Sequence, residues 1–253
     1  MKLRQRERGL TCVTVICEHG AECHDGSIVS KASAPEASRA WLLIEHPGPW
    51  PHEAADAALP SGLAELAGAA GNIGVRLQLI RKPGRRRTGG PRSVFMGWTA
   101  GREPWLRRAS VPASSPGLTE RDLKELAAGG VPAFGAPAGE PAFLVCTHAK
   151  RSGCCARYGI PLAQALAVRY TGQVWETSHV GGHRFAANLV IMPHGLYYGP
   201  VGLAGATAAI GAYQRGAVAL DRYRGRAGTP RPVQEADHER LASAGSLPVE
   251  ALA

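Results

Sequence analysis

The residues of this 253-residue chain best suited to chemistry are cysteines and histidines in its second half. Cys146, Cys154 and Cys155 lie in Cys146-Thr-His-Ala-Lys-Arg-Ser-Gly-Cys154-Cys155, and His179 and His183 flank Val-Gly-Gly. Thiolate sulfur and imidazole nitrogen are good ligands for soft and borderline metals, and two of each complete a four-coordinate site. Spacing leaves the metal open. Two cysteines and two histidines suit tetrahedral zinc, and equally a [2Fe–2S] cluster in which imidazoles replace two thiolates.

Other chemistries fit less well. Histidines at i and i+4 share a helix face in zinc proteases, but here two glycines between them oppose a helix and the general-base Glu is missing. A Gly-Gly loop instead lets the backbone wrap closely and turn both imidazoles inward. No C-x-x-C dithiol is present, and Cys154 and Cys155 are adjacent, which strains any disulfide between them. A glycosidase needs two carboxylates about a sugar site, and Glu176 has no evident partner. His148, Lys150 and Arg151, between the cysteines, are candidate hydrogen-bond donors to sulfur. Asn188 is a candidate to hold the histidine loop, while Trp175 and Phe185 are expected in the core. Cys12, Cys17 and Cys23 follow a spacing that matches no common zinc site.

Strands and helices must position these residues. Ala40–Glu45 reads as a short buried strand stopped by His46-Pro-Gly-Pro-Trp50. Residues 61–70 have helical character. Residues 73–80 alternate apolar residues with Gly74, Arg76 and Gln78, as a half-buried strand does. Residues 93–98 and 104–108 suggest a hairpin. Thr119 is placed to cap a helix over 119–126 that Gly129 and Gly130 end. A Pro/Gly-rich linker follows over 135–141. The order then recurs: a strand over 142–146, a helix from Pro161 to Tyr170, and a strand over 173–177. Strands over 187–192 and 196–201 join at Pro193-His-Gly195, and a long helix runs from Ala204 to about Leu220. Cys146 therefore ends a strand, and Cys154 and Cys155 precede a helix, whose N-terminus favours a thiolate.

The fold class is α/β. We read residues 1–38 as an irregular leader and 39–135 as an α/β unit without ligands. Residues 141–225 form a second unit of similar order that keeps the ligands, and 226–253 a tail with a short amphipathic helix over 231–243. A single mixed α/β domain is the alternative. No apolar run approaches the roughly 20 residues that span a bilayer, and no apolar signal segment follows the basic Met1–Arg8 stretch, so a soluble cytoplasmic protein is expected. Six cysteines in such a setting favour ligand or redox roles over disulfides. The net charge is +9, but only Arg81-Lys-Pro-Gly-Arg-Arg-Arg87 is a dense basic run and no nucleic-acid motif accompanies it. A solvated loop or a docking surface for an acidic redox partner is expected there.

The combination of motifs resembles a known family. Cys146-x8-Cys155, a second pair four apart and Asn188-Leu-Val-Ile-Met-Pro-His-Gly-Leu-Tyr-Tyr-Gly-Pro-Val201 are similar to the thioredoxin-like [2Fe–2S] ferredoxins, with His179 and His183 in the C-x3-C places. That replacement, with Cys-Thr-His-x-Lys-Arg-x-x-Cys-Cys, His-x-Gly-Gly-His-Arg-Phe-Ala-x-Asn and Trp-Leu-Leu-Ile-Glu-His-Pro-Gly-Pro-Trp, resembles the sucrase/ferredoxin-like family over roughly residues 38–245. The resemblance implies a thioredoxin-like ferredoxin fold and a [2Fe–2S] cluster, with Cys146 and Cys155 on one iron and His179 and His183 on the other. Imidazole ligands whose second nitrogen can gain or lose a proton then lead us to expect proton-coupled one-electron transfer, between redox donor and acceptor proteins that the sequence does not name. The family carries Asp where this chain has Ser152, and Cys155 is preferred to Cys154 as ligand. A zinc-stabilised module on the same four residues is the alternative.

Overall fold

A computed structural model describes residues 32–84, 89–112 and 117–252. Cys12, Cys17 and Cys23, and Arg85–Arg87 of the basic run, lie outside the described residues. The first half runs β1 (Ala40–Glu45), α1 (Ser61–Asn72), β2 (Val75–Arg81), β3 (Arg92–Trp98), β4 (Trp105–Val111), α2 (Glu120–Ala127) and the short β5 (Ala136–Pro137). The second runs β6 (Ala142–Cys146), α3 (Gly153–Arg169), β7 (Val174–Thr177), β8 (Leu189–Met192), β9 (Leu196–Tyr198) and α4 (Leu203–Gln214). Then come β10 (Ala217–Ala219), β11 (Tyr223–Arg226), α5 (Arg231–Ala244) and β12 (Ser246–Pro248).

The protein is α/β. Ten strands form one sheet in the order β11-β9-β8-β6-β7-β2-β1-β3-β4-β5. Each half contains the thioredoxin-like order, β2-β1-β3-β4 and β7-β6-β8-β9. In each, the first two strands are parallel across a helix and the third is antiparallel to the first. The halves meet where β2 and β7 pair antiparallel, Ile80 opposite Thr177 and Arg81 opposite Glu176. A right-handed helical crossover suits the parallel pairs, whereas the halves need only abut at this seam.

Strand alternation sorts side chains between two faces. Ala40, Leu42 and Ile44 of β1 face α1 and α2, where Leu63, Leu66, Leu123 and Leu126 cover them. Phe143 and Val145 of β6 likewise face α3, α4 and α5 through Leu162, Leu166, Ile210 and Leu241. The opposite residues, Trp41, Leu43, Leu144 and Cys146, join Phe95, Trp175, Val190, Met192 and Tyr197 in a third core. The sheet therefore curls until its inner faces touch. At Gly97 on β3 a Cβ would lie 3.2 Å from the Met192 Cε of β8. With both faces covered, the strands read as continuous apolar runs.

Local signals behave as their chemistry dictates at α2: Thr119 and Asp122 form a capping box, the Asp122 N–H donating to the Thr119 hydroxyl and the Thr119 N–H to the Asp122 carboxylate. Two helices depart from expectation. α3 begins at Gly153, eight residues before Pro161, so the proline sits inside the helix and both cysteines lie in its first turn. An interior proline costs about 3 kcal/mol in an isolated helix. Here Leu162, Ala163 and Leu166 are held in the core, and this packing offsets it. α4 ends at Gln214 because Gly216 turns left-handed (φ 74°), and residues 217–219 pair with β12 instead. Residues 32–38 pack on the end of the sheet: the Ser33 and Ala34 amides donate to the Arg224 carbonyl at 2.7 and 3.0 Å. The Gln234 side chain of α5 both accepts from and donates to the Ala34 backbone. Among the described residues, no helix is long and apolar enough to cross a membrane.

Candidate metal centre

Because β6 alternates, Cys146 falls on the inner face at the strand's end. Cys155 approaches from the first turn of α3. The helix crosses so near the Cys146 carbonyl that a Cβ at Gly159 would overlap it, which restricts this position to glycine. His179 follows β7, and its Nδ1 lies 4.0 Å from the Cys146 Sγ and 3.9 Å from the Cys155 Sγ. The three donor atoms all lie within 4.8 Å of one another. Cys154 is also buried, but it packs with Ala186 and Tyr158 in a separate cluster. Adjacent helical residues point about 100° apart, so only one of the two sulfurs can face Cys146. His183 opens a short 3-10 turn, and its ring centroid is 6.1 Å from that of His179. The structure thus brings Cys146, Cys155 and His179 together and sets His183 beside them, outside the tight group.

The histidine loop is held at every turn. The His179 N–H donates to the His148 Nδ1 at 3.2 Å, and the His148 Nε2–H donates to the Pro51 carbonyl at 2.8 Å. These two bonds set the His148 tautomer, and burial lowers its pKa, so the imidazole is neutral. The His179 carbonyl accepts from Arg76 and from the Gln78 amide, each at 3.3 Å. The Gln78 amide oxygen in turn accepts from Thr177 and Ser178 hydroxyls at 3.2 and 2.7 Å. Tyr197 donates to the Val180 carbonyl at 3.2 Å. Asn188 donates to the Gly182 carbonyl at 3.1 Å and accepts from Arg224 at 2.5 Å. Gly182 is left-handed (φ 67°), and a Cβ there would run into the Arg224 guanidinium.

Burial and hydrogen bonding polarise the two thiols. The Cys155 thiol donates to Cys146 and, with help from His179 and the His148 backbone N–H, holds the Cys146 thiol well below the usual range against the effect of burial. Cys155 is pushed up by the same contact and by burial, while Ser152 bonds to it in the opposite sense. The contact thus favours the thiolate at Cys146 over Cys155, and a bound metal would displace the remaining proton. His179 is half-buried and lines a cavity of about 410 Å³ with Arg76, Gln78, His148 and Arg151.

The donor set fits a metal. Tetrahedral bonds of about 2.3 Å to sulfur and 2.0–2.1 Å to nitrogen give ligand separations of roughly 3.5 Å, near the sulfur–nitrogen distances found here. The adjacent His183 places a second imidazole near this group, its ring centroid 6.1 Å from that of His179.

Several neighbours differ from expectation. Lys150 is exposed and Arg151 pairs with Glu53, so neither is aimed at sulfur, while His148 acts through its backbone N–H and on the His179 loop. Glu176 is buried, bonded to Arg81 at 2.7 Å and to Thr147 at 3.0 Å, and has no carboxylate partner for sugar chemistry among the described residues. Trp175 and Phe185 are buried as expected. Arg76, Gln78, Tyr197 and Arg224 were not singled out from sequence. Arg76 and Gln78 belong to the polar stripe of a strand read as half-buried, yet Gln78 is 3% exposed because that stripe faces the other half's loop.

Neither the curated proteins nor the solved structures return a match to this chain. The family described as Sucrase/ferredoxin-like matches residues 32–225, a span that holds the three converging donors, His183 and the residues from Arg76 to Arg224 that fix the loop. The chain belongs to the sucrase/ferredoxin-like family.

Proposed function

We propose that this protein is a ferredoxin-like electron carrier whose [2Fe–2S] cluster is held by Cys146 and Cys155 on one iron and His179 and His183 on the other. The observation that carries the reading is the convergence of the Cys146 and Cys155 sulfurs with the His179 Nδ1 within 4.8 Å, in a ferredoxin-like family. Bound there, such a cluster would supply one-electron transfer at a potential raised by neutral imidazoles in place of two thiolates.

The chain's own residues orient and protonate. Arg76, Gln78 and His148 fix the backbone of His179, so its imidazole is presented without reorganisation. Its Nδ1 faces the sulfurs, which leaves Nε2 to hold or release a proton, and His179 lines the adjoining cavity. A proton held at Nε2 offsets an electron gained nearby, so electron transfer is proton-coupled. Unidentified donor and acceptor proteins, in the cytoplasm, complete the reading, and a net charge of +9 favours acidic ones.

Anaerobically purified protein should be red-brown and EPR-active on reduction. Its potential should fall as pH rises, and a potential flat between about pH 6 and about pH 10 would refute proton coupling. His179→Ala and His183→Ala should each lose or alter the visible spectrum, and unchanged spectra in both would refute the ligand set. A zinc-stabilised module is the second reading, favoured by sulfur–nitrogen separations of 3.9 and 4.0 Å that approach those around a single ion. Colourless protein with stoichiometric zinc would decide for it.

A further inference from the structure

The first half of the molecule contains a pocket in the position that the metal centre occupies in the second. It lies on the same inner face, at the opposite end of the β2–β7 seam. Glu45 ends β1 as Cys146 ends β6, and the β2–β3 connection borders the pocket as the histidine-bearing β7–β8 connection borders the centre. Among the described residues, neither thiol nor imidazole lines it. The walls carry Lys82, Arg92 and Arg108 with Ser110, over a floor made by Trp175 of the other half. The cavity is about 330 Å³, within the roughly 300–1,000 Å³ of small-molecule sites.

Its cations outnumber the carboxylates among the described lining residues. The Lys82 Nζ sits 3.5 Å from the Trp175 ring centroid, and the Arg108 guanidinium is 5.6 Å from the same ring. Arg92 donates to the Glu45 carbonyl at 3.0 Å and Arg108 to the Ser93 hydroxyl at 3.0 Å, both neutral acceptors. Among the described lining residues the one carboxylate is Glu45, which accepts from the Ser93 N–H at 2.8 Å. Among the described residues, no ion pair involves Lys82, Arg92 or Arg108. Burial and the facing Arg108 lower the Lys82 pKa to about 8, against a smaller opposing effect of Glu45. Cations gathered in a concave site in excess of carboxylates are the arrangement by which proteins bind oxyanions.

We propose that this pocket is a binding site for a phosphate group, free or carried by a small phosphomonoester, gripped by Lys82, Arg92 and Arg108. It does not depend on which metal the second half holds. Arg108 supplies a planar pair of N–H donors and Lys82 a point charge, and Ser110 offers a hydroxyl at the rim.

The test is calorimetric titration of the protein as purified with inorganic phosphate and, separately, with glycerol 3-phosphate. The expected result is saturable one-site binding of at least one of them, weakened tenfold or more in Lys82→Gln and in Arg108→Gln and weakened less in Arg108→Lys, which keeps the charge but not the planar donor pair. Tighter binding of the ester identifies an organic phosphate as the ligand, and equal or tighter binding of phosphate identifies the free ion. Circular dichroism checks that each variant is folded, and the exposed position of Arg108 makes its replacement mild. The proposal is overturned by no saturable binding of either compound or by binding unchanged in both glutamine variants. It is also overturned if poly-glutamate alone binds in a Lys82- and Arg108-dependent way, which would make the patch a surface for acidic proteins.

Discussion

The two ends of the β2–β7 seam hold equivalent pockets with opposite chemistry. At one end Cys146, Cys155 and His179 converge, electron-rich and hydrogen-bonded on all sides. At the other, Lys82, Arg92 and Arg108 gather around Trp175 with no ion-pair partner among the described residues. Both are made by the end of a first strand, the connection after a second strand and a contribution across the seam. The shared topology supplies a place where three chain segments meet at the mouth of a curled sheet. The side chains at that place decide the ligand, which is why function must be argued from the site and not from the fold. Each half also completes the other's pocket: Arg76 and Gln78 of the first half hold the His179 loop, and Trp175 of the second floors the cationic site.

This contrast can be broken most sharply at the thiols. Cys146→Ser or Cys155→Ser should abolish metal retention, while Cys154→Ser and Glu45→Gln should keep it, as measured by metal content after gel filtration. Retention in Cys155→Ser with loss in Cys154→Ser would exchange the roles of the two sulfurs. Next in size is Gly182→Ala, which forces a side chain into a left-handed residue and against Arg224. It should cost about 1–3 kcal/mol in urea unfolding and loosen the metal. Gln78→Leu leaves two buried hydroxyls and a carbonyl short of a partner, and should cost about 1–3 kcal/mol while changing the spectrum of the metal centre from the opposite half. A wild-type spectrum would show that the seam does not reach the site.

A smaller effect should appear in pH. The Lys82 pKa in the folded chain, about 8, is below its ordinary 10.5. Between these values the unfolded chain binds more protons at this residue, so Lys82 makes stability rise with pH across that window. In Lys82→Gln the slope between about pH 8 and pH 10.5 should be less positive, and an unchanged slope would place Lys82 in ordinary solvent. Smallest of all, Val168→Thr on α3, where the side chain is 83% exposed, should change stability by no more than about 0.5 kcal/mol.

Much of this was legible in the residues. The unbroken apolar runs of β1 and β6 required strands covered on both faces, and the Thr119 cap and the Pro193-His-Gly195 turn fell where their chemistry placed them. The start of α3 was hidden because Gly153, Gly159 and Pro161 are poor helix formers. Their reasons are tertiary: Gly159 lets the helix touch the Cys146 carbonyl, and the core holds the turns around Pro161. The end of α4 was overestimated because small apolar residues continue past Gly216, and only pairing with β12 makes them a strand. Arg76 and Gln78 looked like the solvent side of a strand, since alternation reports two faces without saying what covers each.

Residue type and spacing by themselves pointed to thiol and imidazole donors among Cys146, Cys154, Cys155, His179 and His183. They also gave the α/β class and suggested a repeated strand order, because these follow from side-chain polarity and local period, and the pairing of the strands showed the repeat. Tertiary structure alone decided which of two adjacent cysteines meets Cys146, how closely His179 approaches and that His183 stands further off. It alone brought Lys82, Arg92 and Arg108 together from three strands. Those outcomes depend on helix phase, loop path and the pairing of β2 with β7, which are set by contacts between residues far apart in the chain.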